Sequence, residues 1–115
     1  MNETLNLRPT ADYQAMDAAH HWHPFTDTAE LNAKGSRVIA SAEGVWLTDT
    51  EGNRILDGMA GLWCVSVGYG REEMAEAIAD QVRKMVYASP WSSTSEPAAI
   101  LARKIAERTP GDLNN

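Results

Sequence analysis

Among 115 residues there is a single cysteine, Cys64, which excludes an intramolecular disulfide and a cysteine-built zinc cage. Long apolar runs are missing too. Nothing approaches the ~20 residues needed to span a bilayer, so no membrane is expected as a partner. The opening Met1-Asn2-Glu3-Thr4-Leu5 lacks a basic stretch leading into an apolar one, so no secretory signal is read there and the cytoplasm is the expected compartment. Basic residues are few and scattered: ten Lys and Arg against sixteen Asp and Glu, a net charge of −6 and a pI near 4.9. Nucleic-acid binders neutralise phosphates with clustered cations, so no nucleic acid is expected, and the acidity reads as solubility. With 43% hydrophobic and 23% charged residues, the composition is that of an ordinary soluble domain. A domain of this length has little surplus core.

Periodicity divides the chain. Residues 1–10, polar and containing Pro9, read as an extended arm. Thr10 is placed to cap a short helix over 11–21 with Tyr13, Met16 and His20 on one face, and Pro24 forbids its continuation. Three short β-type runs follow, 37–41, 45–49 and 54–57. The turns between them are Glu43-Gly44 and Thr50-Glu51-Gly52-Asn53, an antiparallel meander. Along its middle strand Val45 and Leu47 share one face, Trp46 and Thr48 the other. The segment 58–70 carries glycines at both ends and bulky apolar residues between, and reads as an ordered loop able to turn sharply. Met74, Ile78, Val82 and Met85 then form the apolar stripe of a helix over 71–87. Acidic Glu72 and Glu73 begin it and basic Arg83 and Lys84 end it, as the helix dipole favours. A last helix runs from about 96 to 109, with Leu101, Ile105 and Arg108 on one side. Ser95 is preferred to Ser93 as its cap, because Pro97 then falls where no helical N–H is lost.

No residue has a defensible claim to catalysis. Of the histidines, His20 and His23 could share a helical face, but no acidic or cysteine partner is evident, and packing near Trp22 and Phe25 explains them better than a metal. Gly68-Tyr69-Gly70 before a helix imitates a dinucleotide fingerprint. Glu73 replaces its third glycine, however, and the ribose-binding acid is missing. Cys64 lies between apolar Trp63 and Val65, which suits a packed or pocket-lining thiol more than a nucleophile. Lys34, Lys84 and Lys104 sit among polar residues and read as surface lysines. Trp22, Phe25, Trp63 and Trp91 lie in or beside Gly- or Pro-containing loops. They could fill a core or wall a pocket.

Several spaced motifs then agree on a family. Trp22-His23-Pro24-Phe25-Thr26, Asp49-Thr50-Glu51-Gly52-Asn53-Arg54-Ile55-Leu56-Asp57, Ala60-Gly61-Leu62-Trp63-Cys64 and Val67-Gly68-Tyr69-Gly70-Arg71, in that order, resemble the N-terminal region of class III aminotransferases. The last two are most similar to the ω-amino acid:pyruvate and amine:pyruvate members; the diaminononanoate-forming branch shares the Trp-His-Pro start. The resemblance implies an α+β segment of a fold-type I transferase dependent on pyridoxal 5'-phosphate (PLP): an arm and helix (1–36), the meander of a small domain (37–57), a pocket-lining loop (58–70), and two helices leading toward the large PLP domain (71–115). It implies a homodimer acting on an amine and a keto acid. A substrate wall is implied at Phe25, Leu62, Trp63 and Cys64, with Trp91 (where the family more often has Phe) approaching from the adjoining subunit. The lysine, acid and phosphate cup that hold PLP are implied to lie beyond Asn115, so the 115 residues alone are expected to be inactive. A stand-alone, non-catalytic interaction module is the alternative.

Overall fold

A computed structural model describes residues 7–113; residues 1–6 of the expected arm lie outside the described residues. The chain forms two compact units, Met1–Arg71 and Glu72–Asn115.

In the first unit α1 (Thr10–His20) begins without a side-chain cap: Pro9 occupies the capping position. Thr10 does not cap because its hydroxyl instead shares a 2.7 Å hydrogen bond with that of Thr50. The expected Tyr13–Met16–His20 face is likewise displaced. Met16 and His20 are exposed, and the half-buried positions are Thr10, Tyr13, Gln14 and Asp17. That face is largely polar because it is held by hydrogen bonds, among them Gln14 Nε2 donating to the Ser36 carbonyl at 2.9 Å. A further helix, α2 (Thr28–Lys34), was not expected. Its signal is nonetheless written in the chain: Asp27 caps it by accepting from the Ala29 and Glu30 amides, and Gly35 ends it at φ 81°. An acid at the cap, Glu three residues on and Gly past the end form a complete set of helix punctuation.

The meander is present as β1 (Ile39–Glu43), β2 (Trp46–Asp49) and β3 (Arg54–Leu56), antiparallel in the order β1-β2-β3. Glu43 pairs with Trp46, so the first turn centres on Gly44-Val45, one residue later than expected. Gly44, at φ 59°, supplies the positive dihedral that a tight hairpin needs at its first central position. Ala42, Leu47 and Ile55 stand opposite one another and are half-buried. On the other face the Arg54 guanidinium lies 4.6 Å from the centroid of the Trp46 ring, a cation–π contact. Asp49 closes the second turn. One of its oxygens accepts from the Glu51 and Asn53 amides and both accept from Asn53 Nδ2, and at 7% exposure it is the one buried polar residue among those described. These bonds, that with the Asn53 side chain foremost, hold its carboxyl below the ordinary range.

Between β3 and the end of the first unit lies the short α3 (Ala60–Trp63), which carries two of the expected wall residues. The second unit contains α4 (Glu72–Lys84) and α5 (Glu96–Ala106). Ser95 occupies the cap position of α5 with Pro97 in the first turn, as the proline argument requires. Both helices end three residues earlier than periodicity suggests, at Lys84 and Ala106. Lys84 Nζ and Glu96 Oε2, 2.9 Å apart, join the end of one to the start of the other. The α4 stripe is present in sequence but not covered: Met74, Ile78 and Val82 are exposed, and none of the described apolar side chains is buried.

Candidate functional site: a left-handed turn carrying Leu62 and Trp63

After β3 the chain does something rare. Ala60, Gly61, Leu62 and Trp63 have φ of 49°, 57°, 62° and 66°, so α3 is one turn of left-handed helix. Its hydrogen bonds run from the Trp63 N–H to the Met59 carbonyl and from the Val65 N–H to the Ala60 carbonyl, both 2.9 Å. In a left-handed turn Cβ crowds the following carbonyl, a cost of about 1–2 kcal/mol for each non-glycine residue. Three such residues here make roughly 3–6 kcal/mol. The only other described non-glycine residue at positive φ is Phe25, at 51°. It follows Pro24 in a turn closed by the Thr26 hydroxyl donating to the Pro24 carbonyl, at a position that ordinarily takes glycine or asparagine. Backbone strain of this size persists where surrounding structure enforces it, and clusters at ligand sites. Three of the four strained non-glycine residues are the expected wall residues Phe25, Leu62 and Trp63.

The enforcement comes from Asp57. Its Oδ1 accepts from the Met59 amide (3.1 Å) and its Oδ2 from the Gly61 amide (2.7 Å) and the Tyr69 hydroxyl (2.7 Å). The Tyr69 hydroxyl foremost holds the Asp57 carboxyl below the usual carboxylate range, and the same bond raises the Tyr69 phenol. Tyr69 is itself tied to the β1–β2 turn by two backbone bonds with Gly44, 2.8 and 3.0 Å. The turn is therefore fastened to the sheet at both ends.

The presented side chains point outward. Phe25, Leu62, Trp63, Cys64 and Trp91 are all exposed, Trp63 to 79%. Trp22 is exposed as well, and the described residues enclose no apolar core for these aromatics to enter. Cys64 is likewise not packed in the chain; its thiol reaches only the Leu62 carbonyl, at 3.4 Å. Trp91 lies in the second unit, apart in sequence from the other four.

The histidines also differ from expectation. His20 stands aside, and the acidic partner of the other two is Asp17, four residues before His21. Its carboxylate accepts from His21 Nδ1 at 2.8 Å and His23 Nε2 at 2.9 Å, and the two rings lie 4.1 Å apart. Trp22 and Phe25 do not pack against them as an apolar cluster; both face solvent. Ser36, then His23 and His21, lower the Asp17 pKa to about 2, so this carboxylate stays charged through most of the acid range. One ligand atom from each of the three lies within 4.8 Å of the others. No fourth His, Cys, Asp or Glu joins them among the described residues, whereas a structural zinc site closes with four.

A lysine able to carry PLP must be desolvated or otherwise poised as a free amine. Lys34, Lys84 and Lys104 are exposed, and Glu96 foremost raises the Lys84 pKa. None of the three meets that requirement, so no lysine of this chain fits the role of carrying the cofactor.

The sequence profile of the family "Aminotransferase class-III" matches residues 29–114. A putrescine–pyruvate aminotransferase of Pseudomonas aeruginosa is 46% identical over 116 residues, covering all of this chain and 25% of the relative. A β-alanine–pyruvate aminotransferase of the same organism is 38% identical, again over all of this chain and 25% of its own length. Among solved structures, a thermostable (S)-enantioselective ω-transaminase from Thermomicrobium roseum superposes with a TM-score of 0.91 at 40% identity, over 96% of this chain and 25% of that one. The fold is that of an α+β segment of the PLP-dependent transaminases. The chain belongs to the class III aminotransferases, and it spans about a quarter of the length of the curated relatives it matches.

Proposed function

We propose that the protein carrying this chain transfers an amino group from an amine or ω-amino acid to pyruvate or a similar keto acid, with PLP as cofactor. In this reading the segment supplies part of the substrate wall. The observation that carries it is the coincidence of strain and chemistry: the backbone sits in a costly conformation at Phe25, Leu62 and Trp63 and turns large apolar groups outward. The pyruvate-using relatives above support the acceptor. Class III enzymes use PLP; its lysine, acid and phosphate cup would lie in a large domain beyond this segment, to which the helices of 71–115 would form the approach. The meander of 37–57 would belong to the small domain, the 58–70 segment would line the pocket, and residues 1–36 would be an arm and helix on its flank. Cys64 would stand at the edge of the wall, and Trp91 would reach the site of the adjoining subunit in a homodimer. The cytoplasm is the proposed compartment.

The uncovered apolar stripe of α4 weighs against a self-contained interaction module, since a module would bury a core of its own. The function is tested on the full-length protein loaded with PLP and given a primary amine and pyruvate. Formation of alanine in step with loss of the amine is expected. Absence of alanine across aliphatic amines, arylalkyl amines and ω-amino acids would remove the proposal.

A further inference from the structure

We infer that Asp57 and Tyr69 are positioning residues that set amine specificity by holding the left-handed turn of Leu62 and Trp63 in place. The inference rests on the wall reading above and deepens it by naming what fixes the wall.

An unsupported left-handed turn with three side-chain-bearing residues would relax toward ordinary dihedrals. What opposes relaxation is local. The Asp57 carboxylate accepts from two amides of the turn, Met59 and Gly61, and from the Tyr69 hydroxyl besides. Charged acceptors make the stronger hydrogen bonds, and this one reaches across the base of the turn. The Tyr69 ring then occupies the space beneath Gly61: a Cβ built on that glycine would lie 2.9 Å from the hydroxyl and 3.0 Å from Val65 Cγ2. Only glycine leaves room for the phenol to reach Asp57. Tyr69 is anchored in turn by its two backbone bonds with Gly44, and Gly68, at φ 84°, brings the chain so close that a Cβ there would meet the Gly44 carbonyl at 3.0 Å. The sheet thus holds Tyr69, Tyr69 and Asp57 hold the turn, and the turn aims Leu62 and Trp63. Neither Asp57 nor Tyr69 has to touch substrate to act. Loss of the hydroxyl lets the turn settle into a different geometry and moves the wall, and an ångström of misplacement is enough to alter turnover.

The test uses the full-length PLP-loaded protein and the ratio of kcat/KM for a bulky arylalkyl amine to that for a small aliphatic amine. Tyr69→Phe, which keeps the ring and removes one hydroxyl, is expected to change this ratio by roughly tenfold. In a Trp63→Ala background the same substitution is expected to change it less than twofold, because the latch acts through the wall. If Trp63→Ala shifts the ratio and Tyr69→Phe does not, the latch is overturned while the wall stands. If Trp63→Ala itself leaves the ratio unmoved, the wall reading fails and takes the latch with it. Should Tyr69→Phe not yield folded holoenzyme, Asp57→Asn is read in its place. Failure of both to fold would assign the pair to folding rather than positioning and would likewise overturn the inference.

Discussion

Trp63→Ala in the full-length protein is expected to shift the preference between a bulky and a small amine by roughly 10- to 100-fold in kcat/KM, the effect of adding or removing one apolar wall contact. The direction follows from geometry. Removing the indole widens the site, so the bulky amine gains relative to the small one. The effect on stability is expected to be slight. Truncating a buried tryptophan costs about 3–5 kcal/mol, but Trp63 is 79% exposed in this chain. Parallel measurement of the specificity ratio and the denaturation midpoint separates the two roles. A large loss of stability with unchanged preference would return Trp63 to the core.

The second large effect is a pair of substitutions with opposite signs at adjacent positions. Gly61→Ala is expected to destabilise the protein by about 2–3 kcal/mol, combining the left-handed penalty with the overlap of a new methyl group. That methyl would meet the Tyr69 hydroxyl, which cannot swing aside without leaving Asp57. Ala60→Gly removes about 1–2 kcal/mol of strain and returns part of it as chain freedom in the unfolded state, for a net gain of about 0.5–1 kcal/mol. Denaturant titration of the two variants against the parent reads both signs. Equal effects of the same sign would mean that the turn is not left-handed in the assembled protein.

What was legible in the sequence depended on the range of the interactions involved. Strands β1 to β3 and helices α4 and α5 show through because turn glycines and apolar periodicity are local signals. Even so, the first hairpin turn shifted by one residue, since Gly44 takes the positive dihedral in either register, as the first central residue of Gly44-Val45 or the second of Glu43-Gly44. Helix α2 carried full punctuation in Asp27, Glu30 and Gly35, and could have been found from those alone. The left-handed turn could not. Ala60-Gly61-Leu62-Trp63 contains one glycine, and nothing in its composition announces three further residues at positive φ. The conformation is imposed by Asp57 and by Tyr69, eight residues from Gly61, which in turn depends on Gly44. Asp17 lay between the two cases: its spacing to His21 is a helical one, but its bond to His23 requires the chain to double back after the helix ends.

The outward-facing wall residues were identified through resemblance to a family rather than from patterning. Patterning alone left core and pocket open for Trp22, Phe25, Trp63 and Trp91. Exposure removes the core within this chain, and the strain at Phe25, Leu62 and Trp63 adds a physical reason to regard them as placed for a ligand.

The most direct measurement is the crystal structure of the full-length PLP-loaded protein with an amine inhibitor bound. The account predicts Leu62 and Trp63 within about 4 Å of the inhibitor's hydrocarbon, with the left-handed turn and its Asp57–Tyr69 contact intact. An inhibitor walled by other residues, with Leu62 and Trp63 buried elsewhere in the protein, would contradict it.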